Sequence, residues 1–416
     1  MNARFRYNPY LTSKQILYWL AYQSVFTYLH SGLTGFQGDY AFIVGVCTAS
    51  KPRFYSLEEA FKHNGWLFGY LSYEYKNELE PILHSGHQPT IVTPTTAFFE
   101  ADIVIFRKKN NPYYEIIAEH PDQIAREINN MRVKTAKKSF KTDDFRSKFN
   151  KKSYIQTIKH LQEHIREGDV YEINLTQEFS AHFSTPLNAN IVENLWENNP
   201  VPMASWLRMN DLMILSTSPE RFLQKNEDLL RSEPIKGTVK RKKILYQDDL
   251  QKKLLQTEKF QAENVMIVDL VRNDLNRVCL PGTVHVPKLF RVDTYRHLHH
   301  LTSEITGTLS PLSNGLQAIK ACFPAGSMTG APKIRAMQLI DTYEPTARGI
   351  YSGAIGYLDP QKNFDFNVVI RTLVANLSSQ IMSYHVGGAI TIDSDPLAEY
   401  EESLLKARFV NGLLAQ

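Results

Sequence analysis

The sequence predicts an α+β fold built on antiparallel sheet, and three observations carry that expectation. The segment "YIQTIKHLQEHIREGD" places Ile155, Ile158, Leu161 and Ile165 on one helical face and stops at Gly168. Directly after it, "VYEINLTQEFSAHF" alternates with the period of a strand. In the last third, "YSGAIGYL", "FNVVIRTLV" and "IMSYHVGGAITI" read as three strands. The turn segments "DPQKN" and "NLSSQ" between them are short, which favours antiparallel pairing.

In chain order, residues 13–30 read as a helix, and "YAFIVGV" and "TTAFFEADIVIF" as strands, so residues 1–120 form a small α+β domain. Residues 121–150 turn polar and basic, with hardly any apolar periodicity after Met131, and read as a basic linker or an exposed helix. Asp143 and Asp144 interrupt its lysines and no aromatic platform accompanies them, so no nucleic-acid partner is expected. Residues 151–416 carry the richest pattern, including a long helix expected over residues 248–273.

Composition narrows the classes further. A chain of 416 residues with 43% hydrophobic content can bury a large core, and its net charge of +4 favours neither nucleic acid nor a polybasic membrane anchor. Small anionic ligands stay open. Cys47, Cys279 and Cys322 are far apart, form no CxxC and are odd in number, which speaks against a disulfide framework or a zinc knuckle and for a reducing compartment. The apolar stretch "ILYWLAY" is short and lacks a cleavage site, and no run reaches the roughly 18–20 apolar residues of a membrane span, so a cytoplasmic location is expected.

Several residues could carry chemistry. Lys236, in "RSEPIKGTVKR", lies between the apolar Pro234-Ile235 pair and Gly237-Thr238, apart from the neighbouring basic cluster. Glu263 precedes the apolar run 265–268, where a lone carboxylate would be costly. In "DSDPLAEYEESLLKARF", Asp395 is a candidate N-cap, and Glu399 and Glu402 fall three apart on one helical face. Carboxylates converging without His or Cys suit a hard cation such as Mg²⁺, although Glu402 and Lys406, four apart, equally read as a surface ion pair. Gly326, Ser327, Thr329 and Gly330 precede a helix expected to start at Pro332, and Gly387-Gly388 lie at a strand end; both can approach an anion, and both also read as plain turn and cap chemistry. His297, His299 and His300 cluster without a second ligand set and read as structural. Arg371, inside an otherwise apolar strand, needs a partner, and a carboxylate is a natural one.

Taken in order, "SPERF", "PIKGT", "AENVMIVDLVRND", "HHLTSEITG", "GSMTGAPKIRAMQLI", "GIYSGAIGY" and "DSDPLAEYEESLLKA" resemble the chorismate-utilising enzymes over about residues 150–416. A weaker resemblance extends through "WLFGYLSYEYKNELE". It implies a two-subdomain sandwich of antiparallel sheets with flanking helices around a chorismate pocket. "PIKGT" is typical of the aminodeoxychorismate-forming branch, whereas anthranilate-forming relatives carry alanine at the Lys236 position.

The resemblance then implies roles. The Lys236 amine attacks C2 of chorismate with loss of the C4 hydroxyl, and ammonia adds at C4 and expels the lysine, giving 4-amino-4-deoxychorismate. An amine must be neutral to attack, a form favoured by burial or a nearby cation. Glu220 matches the family's acid and base, Glu263 and Glu402 its Mg²⁺ ligands with Glu399 close by. Arg371, Tyr351, Lys406 and the Gly387-Gly388 backbone match positions that hold carboxylates, and His300 and Ser327 positions that line the ring pocket. "FTYLHSG" lies where relatives bind tryptophan.

Two departures stand out. Ala389 replaces a glycine frequent in relatives, and Glu172 occupies a position that is often glutamine, or a lysine base in isochorismate-forming relatives, so isochorismate synthesis is disfavoured. The cysteines lack an amidotransferase elbow, so ammonia is expected from a separate glutamine amidotransferase subunit or free ammonium, and no length remains for a fused lyase. The alternatives are an anthranilate synthase component I and a non-catalytic binder of an anionic metabolite, the latter opposed by intact Glu220, Lys236, Glu263 and Glu402.

Overall fold

Alternating apolar residues build two large antiparallel sheets in this computed structural model, which describes residues 3–7, 12–32, 38–48, 51–83, 86–133, 142–185 and 187–414. Of the basic stretch expected as a linker, residues 134–141 lie outside the described ones; Pro121–Asn129 is a helix and Arg146–Ser147 a short strand.

Among the described residues, one sheet has 12 strands and the other 10. The N-terminal strands extend both. Val25–His30 pairs with Met203–Met209 in the first sheet, and Leu67–Leu71 pairs with Ala354–Leu358 in the second. Leu207, Ile214 and Val374 of the first sheet pack between the sheets against Tyr70, Ala97 and Ile355 of the second. The outer face of the first sheet is covered by helices that include Ser13–Leu20, Pro121–Asn129 and Ala189–Asn198, and that of the second by Glu258–Asn276 and Gly315–Cys322. The α+β sandwich of antiparallel sheets with flanking helices is therefore what the chain adopts. Among the described residues no helix is long and apolar enough to cross a membrane.

Three expected elements divide differently. The helix over residues 13–30 ends at Leu20, and Val25–His30 is a strand flanked on both sides, because its branched and aromatic residues gain two sheet partners. The helix over residues 248–273 is two helices, Leu245–Leu255 and Glu258–Asn276, separated where Thr257 turns extended and its hydroxyl bonds back to the Leu254 carbonyl at 2.8 Å. "FNVVIRTLV" is not one strand: Phe364–Val368 belongs to the second sheet and Thr372–Asn376 to the first. Pro332 caps the helix Lys333–Tyr343 rather than starting it.

A buried ion pair joins the layers. Arg348 donates to both Glu344 oxygens at 2.9 and 2.7 Å, to the Met328 carbonyl at 2.6 Å and to the Asn174 carbonyl at 2.8 Å, and lies over the Tyr73 ring at 4.7 Å. Glu344 also accepts from the Thr176 backbone N–H at 2.8 Å. One guanidinium thus ties the strand Glu172–His182, the turn Gly326–Met328 and the N-terminal region. Removing it strands a buried carboxylate and two carbonyl acceptors, so Arg348→Ala is expected to lose about 3–5 kcal/mol in urea unfolding, more than the loss of a surface pair would cost.

Candidate active site

Two neighbouring stretches of chain carry the central residues from one sheet to the other. Leu212–Ser218 ends in the first sheet and Arg221–Asn226 begins in the second, with Pro219 and Glu220 between them. Beside it, Val368 leaves the second sheet and Thr372 enters the first, with Arg371 at φ 51°. The crossings bond to each other: the Val368 N–H donates to the Glu220 carbonyl at 3.0 Å, Ser218 Oγ to the Val368 carbonyl at 2.6 Å, and the Thr217 N–H to the Arg371 carbonyl at 3.1 Å. Arg371 was expected inside a strand; it sits instead where the chain changes sheets.

Glu220 is 3% exposed and accepts a hydrogen bond from Ser327 Oγ at 2.5 Å. Burial raises its pKa to about 7, against the opposing pull of that bond and of the Lys236 and Arg371 charges. A carboxyl so placed can give or take a proton near neutrality.

Lys236 lies on Ile235–Lys240, whose register against Leu298–Thr308 shifts between Ile235 and Thr238. Gly237 sits in that irregularity at φ 93°, a conformation costly for any other residue. Lys236 is 9% exposed, and its ammonium contacts Glu172 Oε1 at the start of Glu172–His182. The apolar Pro234-Ile235 surroundings read from the sequence are therefore supplemented by a carboxylate, a contact that sequence order, 64 residues apart, did not reveal.

His300 Nδ1 lies 2.8 Å from Thr238 Oγ1, and its Nε2 accepts from Arg371 at 3.2 Å, which assigns the ring proton to Nδ1. Burial and the Arg371 charge push the His300 pKa well down, so the ring is neutral. Arg371 thus points at a neutral imidazole, a contact that leaves its charge uncompensated. His299 is structural, held by Asp248 Oδ1 at 2.9 Å. Tyr351 is buried, stacks on His385 with centroids 5.0 Å apart, and has its pKa raised by burial.

A second group gathers at the strand Ile381–Ile390. Leu175 pairs with Gly388 and Thr176 with Gly387; a Cβ on Gly387 would meet the Leu175 carbonyl at 2.3 Å. Lys406 donates to the Gly387 carbonyl at 2.7 Å and pairs with Glu402 at 2.9 Å, while Glu399 accepts from Ser394 at 2.8 Å. Lys406 and Glu399 both approach Gly388. Glu263 is half-buried on Glu258–Asn276.

Glu263, Glu399 and Glu402 offer oxygen donors alone, which fits Mg²⁺. They are not among the described groups of three whose ligand atoms lie within 4.8 Å of one another; that spacing is met by His164, Glu167 and Asp169. An ion that keeps waters and completes its shell with substrate oxygens does not require three carboxylates in contact. The "FTYLHSG" segment lines a separate cavity through Leu29, His30 and Ser31, with Tyr40, Pro202 and Met203 opposite.

Comparison with known proteins places this geometry. A family model described as chorismate binding enzyme matches residues 46–412. The chain is 36% identical over 389 residues to a probable chloroplastic aminodeoxychorismate synthase of Oryza sativa subsp. japonica, covering 84% of this chain and 43% of that protein. It is 41% identical over 276 residues to aminodeoxychorismate synthase component 1 of Escherichia coli (strain K12), covering 66% of this chain and 60% of that one. The matches thus span 43% and 60% of these two relatives, less than two thirds of either. The crystal structure of anthranilate synthase component I from Streptococcus pneumoniae TIGR4 superposes with a TM-score of 0.77 at 26% identity, covering 98% of this chain and 91% of the other.

Glu220 also makes a stability prediction. Its folded pKa lies above the ordinary 4.5, so between that value and about 7 the folded chain holds a proton that the unfolded chain has released. Stability therefore falls as pH rises through that window, and the full cost remains above it. Glu220→Gln, which needs no ionisation, is expected to melt higher than wild type at pH 8, with the difference shrinking toward pH 5, measured by thermal unfolding across pH.

Proposed function

The chain belongs to the chorismate binding enzyme family, and on that premise we propose that it aminates chorismate with ammonia to give 4-amino-4-deoxychorismate through a covalent bond to Lys236. The observation that carries this reading is a buried lysine standing near enough to a buried carboxyl for its charge to act on it, the carboxyl's pKa being raised by burial to about 7. One group can attack carbon while the other delivers a proton.

In this reading the Lys236 amine bonds to C2 of chorismate, the ring double bond shifts and the C4–O bond breaks. Glu220 gives its proton to the departing oxygen, which leaves as water. Ammonia then bonds to C4, the double bond returns, the C2–N bond breaks, and Glu220 takes a proton from the new ammonium. Ser327 holds Glu220 in position. Arg371, with neutral His300 behind it, receives a substrate carboxylate, and Tyr351, Lys406 and the Gly387-Gly388 backbone bound the region for the other. Glu263, Glu402 and Glu399 would hold Mg²⁺, which when bound neutralises carboxylate charge.

Ammonia is proposed to come from a separate glutamine amidotransferase subunit, a reading supported by the "component 1" in the name of the Escherichia coli relative. The product would serve 4-aminobenzoate and folate synthesis in the cytoplasm. Likeness to an anthranilate synthase component I supports a second reading, in which pyruvate is lost in the same site.

Mass spectrometry of products from chorismate, Mg²⁺ and ammonium separates the two. The expected product is aminodeoxychorismate without pyruvate, strongly reduced in Lys236→Ala; anthranilate with pyruvate overturns the reading. Glu220→Gln is expected to slow turnover by about 10²–10⁴-fold in the same assay. Glu263→Ala and Glu402→Ala are expected to shift the Mg²⁺ concentration needed for half-maximal rate upward in a metal titration.

A further inference from the structure

The proposed reaction leaves one proton without a destination. Lys236 rests against a carboxylate as an ammonium, yet it must lose a proton before its nitrogen can attack. Glu220 cannot accept it, since in that step Glu220 is giving its own proton to the departing hydroxyl. A second acceptor is needed.

We propose that Glu172 is that acceptor, taking the proton from Lys236 as the amine attacks and returning it when ammonia expels the lysine. The inference rests on the covalent reading above, and three observations carry it. Glu172 Oε1 is the atom in contact with the Lys236 nitrogen, so the transfer needs no intervening group. Glu172 is 1% exposed and its other oxygen, Oε2, is buried with no hydrogen-bond partner among the described residues, so the carboxylate is held by its ammonium partner and keeps acceptor capacity in reserve. Its backbone is fixed on the segment that follows Ser327: the Tyr171 N–H donates to the Ala331 carbonyl at 2.7 Å and the Asn174 N–H to the Thr329 carbonyl at 2.8 Å. Transfer converts a buried ion pair into a neutral pair, which creates no new buried charge.

The protons balance over the cycle. The ammonium and the Glu172 carboxylate become an amine and a carboxylic acid; C2–N forms, C4–O breaks, and Glu220 supplies the proton that makes water. The adduct nitrogen carries a positive charge, so Lys236 leaves as a neutral amine when ammonia bonds to C4. Glu220 recovers a proton from the new C4 ammonium, and Glu172 returns its own to Lys236. Chorismate and ammonia have become aminodeoxychorismate and water, with both carboxyls restored.

The test withholds ammonium and follows the Lys236 adduct by rapid quench and intact-protein mass spectrometry, as a mass gain equal to chorismate less one water. Wild type is expected to form it. Glu172→Gln is expected to form it about 10²–10⁴-fold more slowly with chorismate affinity unchanged, and formate is expected to accelerate it in Glu172→Ala. A wild-type rate in Glu172→Gln, or a Glu172→Ala rate indifferent to formate, overturns the proposal. Should these uncharged variants not fold, Glu172→Asp keeps the charge and draws the carboxylate back by one methylene; a slowed adduct supports the proposal and a wild-type rate overturns it. Absence of adduct in wild type, with turnover persisting in Lys236→Ala, overturns instead the covalent reading on which the proposal rests.

Discussion

Everything at the candidate site depends on two adjacent strands changing sheets side by side. A strand that leaves a ladder exposes N–H and C=O groups that cannot stay unpaired in the interior. Here the two crossings pair with each other, through the Val368 N–H and Glu220 carbonyl, Ser218 Oγ and the Val368 carbonyl, and the Thr217 N–H and Arg371 carbonyl. Glu220 and Arg371 are consequently held by main-chain bonds while standing outside either ladder. Pro219 contributes by offering no N–H to continue one. Arg371 bears a positive φ, worth on the order of 1–3 kcal/mol of strain, which neighbouring bonds must offset.

Buried charge is distributed around these crossings in two ways. Cations with a structural task are closed off by carboxylates: Arg348 spans both oxygens of Glu344, and Arg221 meets both oxygens of Asp365 at 2.8 and 3.1 Å and also contacts Glu233. Such closed pairs add rigidity more than net stability, but losing one partner leaves a costly orphan. The two cations for which a chemical role is proposed are held more openly. Arg371 faces a neutral imidazole, and Lys236 shares one oxygen of a carboxylate whose other oxygen has no partner among the described residues. Arg221, closed off in this way, directly follows Glu220 at the crossing.

Local signals in the sequence were reliable where local bonds decide the structure. The helix that begins at Lys151 has Asn150 and Ser153 in a reciprocal capping box and ends near Gly168 at φ 83°, features readable from adjacent residues. The signal failed where partners distant in sequence decide. Residues 25–30 have apolar spacing that continues a helix, but two sheet neighbours claim them. No turn residue marks the sheet change in "FNVVIRTLV", because it is made by an arginine in a conformation usually left to glycine. Thr238, whose hydroxyl faces His300 Nδ1, sits 62 residues from it and carried no signal of its own.

The sequence alone determined the antiparallel α+β class, the residue types available for catalysis, and, through ordered motifs, the resemblance to chorismate-utilising enzymes. Each is written in neighbouring residues, where periodicity, caps and short motifs operate. Only the tertiary structure decided that the N-terminal strands extend both sheets, that Arg348 ties three segments together, and that Glu172 meets Lys236. Those outcomes depend on strand register and buried charge pairing across tens to hundreds of residues, and no local pattern encodes which carboxylate a buried ammonium meets.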